Sequence, residues 1–278
     1  MILITGGAGY IGTYVAKLIE EHVILDNLSN SEAPKGLFYN GDIRDKAILN
    51  EIFTNYNIDL VIHLAAKKDV SESVLNPLDY YDNNVLGTLT LLKVMKEHKV
   101  EKIIFASTAA MYNDGIASEE DIPNPKTPYA STKLICEDII KVSGLKYVIF
   151  RFFNVAGHDK NGIMLIQRIK QGEQIIINGN DYNTQDGTCI RDYVSVDDIA
   201  LAILKGIEYL KTNNKGLFNL GTNKGYTIKE ICDIAKCPYS FGPRRESDVI
   251  VSIANNKRAQ EVLGWIPTKT LQDILKEE

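Results

Sequence analysis

The chain has 278 residues, 45% of them hydrophobic and 24% charged, with a formal net charge of −5. That size and balance suit a globular protein with one large sheet and a small second lobe, and they give no electrostatic reason to expect nucleic acid or an anionic membrane as partner. No apolar run approaches membrane-spanning length, and Cys136, Cys189, Cys232 and Cys237 form neither a CxxC pair nor a zinc-type spacing with histidine, so no metal and a cytoplasmic protein with reduced thiols are expected.

Strand-like runs fall at Ile2–Thr5, His22–Asp26, Leu37–Asn40, Asp59–Ala65, Lys102–Ala106 and Tyr147–Phe152, and helical patterns lie between them at Tyr10–Glu21, Lys46–Asn55, Asn83–His98 and Tyr129–Ser143. This alternation predicts an α/β fold, a doubly wound parallel sheet covered on both faces. A strand at Ile2 running straight into a glycine turn leaves no stretch that reads as a signal peptide. Between Asp26 and Leu37 the sequence NLSNSEAPKG has no helical period and reads as an irregular strap instead of a crossover helix. After Asn154 the alternation weakens into a helix at Met164–Gly172, a short strand in IIING, and helices at Ser195–Leu210 and Thr227–Ala235. A boundary is expected near residue 155, giving a dinucleotide-binding domain over 1–155 and a smaller C-terminal substrate lobe over 156–278, with 195–220 packing back onto the first. Helix Asn83–His98 is apolar around most of its circumference, which fits either a buried core helix or a helix whose second face meets another copy in a homodimer.

Gly6, Gly9 and Gly12 lie between the first strand and first helix, where a bare backbone can approach a pyrophosphate and the helix N-terminus offers free N–H groups. Asp26 follows Gly6 by 20 residues at the end of the second strand. An acid there accepts from both ribose hydroxyls and repels a 2′-phosphate, so NAD is expected over NADP. Tyr129 and Lys133 are four apart at the start of a helix and share a face. They follow the strand whose end carries Ser107 and Thr108, and strand ends border the ligand crevice in such a sheet. A lysine ammonium favours the phenolate, which makes Tyr129 a candidate base, with Thr108 bonded to the same hydroxyl. Arg191 and Arg245 are two of only seven arginines, and a guanidinium fork suits a diphosphate.

The segments TGGAGYIG, LDNLSNS, GDIRD, VIHLAA, SESVLNPLDYYDNNVLGTL, YASTK, RFFNVAG, GNDYNTQDGTCIRDYVSVDDIA, NLGT and PRRESD run from end to end of the chain. In them the sequence resembles the UDP-glucose 4-epimerases of the extended short-chain dehydrogenases, which carry NAD on a Rossmann fold. The resemblance implies cofactor contacts from the glycine turn with Tyr10 and Ile11, from Asp26, Asn27, Asn30 and Ser31, and from Asp42 and Ile43 beside the adenine. It adds Leu64, Ala65, Ala66 and Lys68 along the cofactor, Asn84 close to the pyrophosphate, Tyr129, Lys133 and Phe153. It assigns the UDP-sugar to Lys68, Thr108, Asn154, Asn178, Arg191, Tyr193, Arg245 and Asp248. Three departures stand out. Loops are trimmed before Asp26, after Ser31 and between Cys237 and Gly242; Gly162 occupies the place of a UDP-binding asparagine, a contact Asn161 could supply; and Asn178 stands where an aromatic residue often meets the uracil.

Relatives on this scaffold begin by oxidising C4 of a nucleotide sugar and diverge through added acids and bases. Dehydratases resemble it but carry an Asp–Glu pair after the threonine, and uronate decarboxylases a glutamate in that stretch. Here Ala109 and Ala110 follow Thr108, and elimination without a placed acid or base forgoes about 10²–10⁴ in rate. The expected reaction is NAD-dependent 4-epimerisation of a UDP-hexose through a transient 4-keto sugar. A UDP-uronic acid or UDP-pentose epimerase is the enzyme alternative, and a non-catalytic NAD- and nucleotide-sensing protein the alternative of another class. Ser252 aligns with the position that gates the C2 substituent, where relatives accepting N-acetylated sugars carry a small residue and those restricted to UDP-glucose and UDP-galactose carry tyrosine.

Overall fold

The computed structural model describes residues 1–158, 164–245 and 248–277. The chain begins β1 (Ile2–Thr5), α1 (Tyr10–Lys17), β2 (His22–Asp26), β3 (Phe38–Asn40), α2 (Lys46–Asn55) and β4 (Leu60–His63). Two short helices follow, α3 (Val70–Leu75) and α4 (Pro77–Tyr80), then a π-helix at Tyr81–Leu86 leading into α5 (Gly87–Glu97). β5 (Lys102–Thr108) runs into a 3₁₀ turn at Ala109–Met111, before β6 (Gly115–Ala117), α6 (Pro128–Val142) and β7 (Lys146–Phe152). The remainder is β8 (Asn154–Ala156), α7 (Leu165–Lys170), β9 (Ile175–Asn178), β10 (Ile190–Ser195), α8 (Val196–Thr212), β11 (Lys215–Leu220), β12 (Gly225–Thr227), α9 (Ile228–Ala235), β13 (Tyr239–Gly242), β14 (Val251–Ala254), α10 (Lys257–Leu263) and α11 (Leu271–Lys276).

These elements form two units, each assembled from separated segments. The first comprises Met1–Met111, Pro125–Arg151 and Ile203–Leu217; the second Tyr112–Asn124, Phe152–Ala202 and Phe218–Glu278. The large sheet has seven strands in the order β11-β7-β5-β4-β1-β2-β3. Its ladders from β3 to β5 are parallel, with Ile4 between Ile24 and Ile62. Leu3, Ile4, Val23, Leu25, Val61 and Ile62 are fully buried, as residues of a parallel sheet covered on both faces must be. No helix joins β2 to β3, so the polar strap expected there is irregular in the fold. α2 begins where the Asp45 carboxylate caps the N–H groups of Ala47 and Ile48.

The helix predicted over Asn83–His98 differs in its first turn, which is the C-terminal part of the π-helix. The Asn84 carbonyl accepts from the Thr88 hydroxyl at 2.6 Å and the Cys136 thiol at 3.3 Å. They join the Gly87 N–H on the same oxygen, at the point where the backbone is widened into a π-turn. Leu91, Val94 and Met95 of α5 are fully buried, and its exposed positions are Lys93, Lys96 and Glu97, the pattern of a core helix.

In the second unit β10 is the central strand. It pairs with β8 and β14 in parallel and with β12 antiparallel. A separate apolar cluster of Ile166, Ile175, Ile177, Ile231 and Ile274 supports it. Among the described residues no helix is long and apolar enough to cross a membrane.

Candidate active site

The turn after β1 is shaped by what a side chain would strike. Gly6 has φ +71°, and a Cβ on it would lie 2.6 Å from the Ala65 nitrogen and 2.7 Å from the Ala65 Cα. A Cβ on Gly12 would lie 2.3 Å from the Gly6 carbonyl oxygen, so α1 is seated against the turn and only glycine fits at both positions. Gly9, the N-cap of α1, makes no side-chain capping bond, which leaves helix N–H groups directed at whatever fills the cradle. Ile11 is half-buried, and Tyr10 sits edge-on to Tyr14 with the Lys68 ammonium 5.7 Å from its ring centre. Asp26 braces the same turn: its carboxylate accepts from Ala8 N at 3.1 Å, Leu28 N at 2.9 Å and Ser31 Oγ at 3.4 Å. Asn27 caps Ser29 N at 3.1 Å, and Asn30 lies within 3.5 Å of Ser29 Oγ. Asp42 pairs with Arg44 at 2.7 Å, and that guanidinium holds its carboxyl below the usual range. Ile43 packs under Gly87, where a Cβ would meet its Cδ1 at 2.4 Å. This bare backbone surface with an acid at the second strand's end fits a dinucleotide.

Across the sheet, Thr127 caps α6 through Ala130 N, which places Tyr129 and Lys133 on the helix's first two turns. Burial pushes the Tyr129 phenol up, and a hydrogen bond from Thr108 pulls it partly back. Lys133 is 4% exposed; its Nζ donates to the Ala106 carbonyl at 2.7 Å and lies 4.7 Å from the Phe105 ring centre. Burial lowers it to about 8. The ammonium therefore points at a main-chain oxygen, and at the phenol burial outweighs the lowering expected from Lys133. Ala109 is buried and Ala110 exposed, and neither brings a titratable group.

Asn84, expected close to the pyrophosphate, has its side-chain amide bonded within the protein. Its Oδ1 accepts from Lys67 N at 2.9 Å and from Asn83 Nδ2 at 2.9 Å, while its Nδ2 donates to the Lys67 carbonyl at 3.0 Å and to Thr132 Oγ1 at 3.1 Å. Both donors and both acceptor positions of this amide are thus engaged inside the protein. Asn84 clamps the Leu64–Lys68 loop to α6; Leu64 is anchored by its N–H to the Thr5 carbonyl at 3.0 Å, and Ala65 and Ala66 are half-buried.

In the second unit, Arg191 and Tyr193 are alternate residues of β10 and share one face. Arg191 is in register with Ser252 of β14, and Tyr193 with Asn154 of β8, which puts all four on that face. The Asn154 side chain bonds the Tyr193 phenol, which burial pushes up to about 12. Arg191 Nη1 donates to the Ile190 carbonyl at 2.9 Å, and its Nη2 lies 3.7 Å from Asp248 Oδ1. The Asp248 N–H in turn donates to the Arg245 carbonyl at 3.2 Å, and the Arg245 side chain is exposed. Asn178 ends β9 opposite Gly242, and Phe153 stacks on Tyr112 with ring centres 6.4 Å apart. Asn161 and Gly162 lie outside the described residues.

Residues 2–221 match the model of the NAD dependent epimerase/dehydratase family. The chain belongs to this family. It is similar to the UDP-glucose 4-epimerase of Halalkalibacterium halodurans, at 42% identity over 96% of this chain and 90% of that protein. Among solved structures it resembles the UDP-glucose 4-epimerase of Brucella ovis in complex with NAD, with TM-score 0.91 and 35% identity over 99% of this chain and 96% of that one. It also resembles that of Bifidobacterium longum in complex with NAD+ and UDP, with TM-score 0.88 and 33% identity over 99% and 95% of the two chains.

Within this epimerase/dehydratase member, sequence reasoning overlooked Asn84 as a clamp, His63, and the buried pair Glu137–Arg151. His63 accepts from or donates to Thr5 Oγ1 at 2.7 Å and Thr88 Oγ1 at 2.9 Å. Because the Thr88 hydroxyl donates to Asn84, His63 Nε2 carries the proton and Nδ1 accepts from Thr5. The signal for Glu137 was present in KLICEDII, where an acid falls on the helix face that carries Lys133 and Ile140.

Proposed function

We propose that the chain is a UDP-hexose 4-epimerase that interconverts UDP-glucose and UDP-galactose and uses bound NAD. The observation that carries the reading is the half-buried Tyr129 phenol bonded to Thr108, one helical turn from the buried Lys133, with alanines where a dehydratase places its acid and base. Tyr129 takes the proton of the sugar's 4-hydroxyl while the C4 hydrogen leaves as hydride, which yields a 4-keto hexose. When bound, NAD supplies the acceptor for that hydride and a cationic ring whose charge favours the phenolate. Once the keto sugar had turned over in the pocket, Tyr129 would give the proton back to the 4-oxygen as C4 is reduced on its other face, and the epimer would form with no net redox change. Gly6, Gly9, Tyr10, Ile11, Gly12, Asp26, Leu64, Ala65 and Ala66 would hold the dinucleotide, and Lys133 would orient its ribose beside Tyr129. Arg191 and Arg245 would bind the UDP diphosphate, with Asn154, Asn178, Tyr193 and Asp248 around the nucleoside. The experiment is direct: pure protein with UDP-galactose should yield UDP-glucose, and no conversion under any cofactor loading would sink the reading.

A second copy of this chain is the proposed partner. Leu75, Leu78 and Leu86, on α3, α4 and the π-helix, are 79%, 81% and 45% exposed, a concentration of apolar area that a homodimer would cover. Sedimentation at micromolar concentration should give the mass of two chains.

A further inference from the structure

Glu137 is fully buried on α6, one turn past Lys133, and Arg151 of β7 is 2% exposed beside it. Glu137 Oε1 accepts from Ser107 Oγ at 2.6 Å and Arg151 Nε at 2.9 Å. Its Oε2 accepts from Arg151 Nη2 at 2.7 Å and Lys141 Nζ at 3.0 Å. Stability alone is a weak reason for such a group, since apolar residues often replace a buried ion pair without loss. Its placement suggests another role. Ser107 directly precedes Thr108 at the end of β5, and Tyr129, Lys133 and Glu137 recur every four residues on one helix face. A single carboxylate therefore ties the strand end that carries Thr108 to the helix that carries Tyr129 and Lys133.

We propose that Glu137 is a positioning residue for epimerisation: through Ser107 it sets Thr108 against the Tyr129 phenol, and its charge keeps Lys133 an ammonium at the Ala106 carbonyl. The proposal rests on the reading of Tyr129 as the base. The groups facing Lys133 decide the sign. Burial lowers Lys133, which Cys136 as a thiolate or Glu137 as a carboxylate would oppose. Burial pushes the Cys136 thiol up, so it is neutral near pH 7. His63 of β4, lowered to about 3 by burial, is neutral too. Phe105 of β5 offers a ring face, and Arg151 and Lys141 are cations bonded to Glu137 itself. Glu137 is thus the anion nearest the ammonium on α6, and without its charge Lys133 deprotonates at lower pH.

The test measures kcat and KM for UDP-galactose across pH for Ser107→Ala and Glu137→Gln, with bound NAD and circular dichroism confirming the fold. Ser107→Ala should lower kcat about tenfold or more with KM nearly unchanged, as a small misplacement of reacting groups does, and leave the alkaline limb in place. Glu137→Gln should lower kcat and also move the alkaline limb to lower pH by about half a unit or more. If Glu137→Gln fails to fold because Arg151 loses its carboxylate, Glu137→Leu combined with Arg151→Met removes both charges. That folded double variant should still show the lowered kcat, whereas a merely structural role predicts normal turnover per folded molecule. Normal kcat in folded Ser107→Ala and in either Glu137 variant overturns the proposal, and a lowered kcat with an unmoved limb in Glu137→Gln removes its charge half. Tyr129→Phe separates the two readings: if it stays active the base assignment fails, and if it is inactive while these variants are normal only the positioning role fails.

Discussion

Replacing Gly6 with alanine tests the cradle most sharply, because the cost can be worked from distances. At φ +71° an L-residue pays about 1–2 kcal/mol for the left-handed conformation. The new Cβ would stand 2.6 Å from Ala65 N, 2.7 Å from Ala65 Cα and 2.9 Å from the Leu64 carbonyl carbon. Carbon contacts relax near 3.5–4.0 Å, so the turn or the Leu64–Ala65 backbone must yield by about 1 Å. None of these atoms is the end of a flexible side chain. Overpacking of that kind costs about 1–3 kcal/mol, for a combined loss of about 2–5 kcal/mol. A domain with about 10 kcal/mol in hand, the middle of the usual range, stays folded after this, yet the displaced turn should weaken NAD binding by about tenfold or more, the equivalent of about 1.4 kcal/mol. Urea unfolding followed by circular dichroism and the NAD content of purified protein are the assays. Gly36→Ala is the control, since Gly36 has φ +104° but nothing within 4 Å of a built Cβ, and it should lose only the conformational part. A Gly6→Ala protein with unchanged unfolding midpoint and full NAD content would refute the reasoning.

Tyr129→Phe should retain NAD and lose at least about 10²-fold in turnover, read by single-turnover conversion of UDP-galactose. Asp26→Ser should narrow the preference for NAD over NADP in direct titrations, because the carboxylate that repels a 2′-phosphate is gone; equal affinities in the unmutated chain would count against that role. Ser252 shares a β-sheet face with Arg191, so Ser252→Tyr should depress turnover of UDP-GalNAc while largely sparing UDP-galactose, in parallel assays of both sugars. His63 is held neutral, lowered to about 3 by burial, while the unfolded imidazole titrates near 6.5. The unfolded chain therefore binds the proton first, and stability is full above pH 6.5 and declines as pH falls toward 3. Urea midpoints at pH 7 and 5.5 should differ by less in His63→Gln than in the unmutated chain.

Local patterning carried the first half of the chain. ILIT and KIIFA are continuously apolar because both faces of those strands are covered, and the 3.6-residue period of Lys46–Asn55 marks α2 to the residue. The strap was legible for the opposite reason, a lack of any period between Asp26 and Leu37. What stayed hidden depends on partners distant in sequence. Nothing in YDNNVL announces a π-helix, and one of the donors that meet its Asn84 carbonyl, the Cys136 thiol, stands 52 residues away in sequence. The three-residue strands β6, β8 and β12 are too short for a two-residue alternation to show. At the site, residue types at chemical spacing (Tyr129, Lys133, Asp26) were readable, whereas Asn84 and Glu137 acquire their roles only from the neighbours that the fold brings to them.

The interleaving of the two units bears on how the chain folds as it is made. The strand β7 ends at Phe152, but its neighbour at the sheet edge, β11, begins at Lys215, and Ile203–Leu217 completes the first unit. At about 5–20 residues per second, the interval between the emergence of Phe152 and that of Leu220 at the end of β11 is roughly 3–14 s on the ribosome. Through that interval β7 is an open edge with unpaired N–H and C=O groups, the surface on which another nascent strand can add. All of β8, β9 and β10 must be synthesised before that edge is closed. Chaperone dependence and loss to aggregation should therefore respond to the speed of translation between residues 151 and 217 more than to that of any earlier stretch.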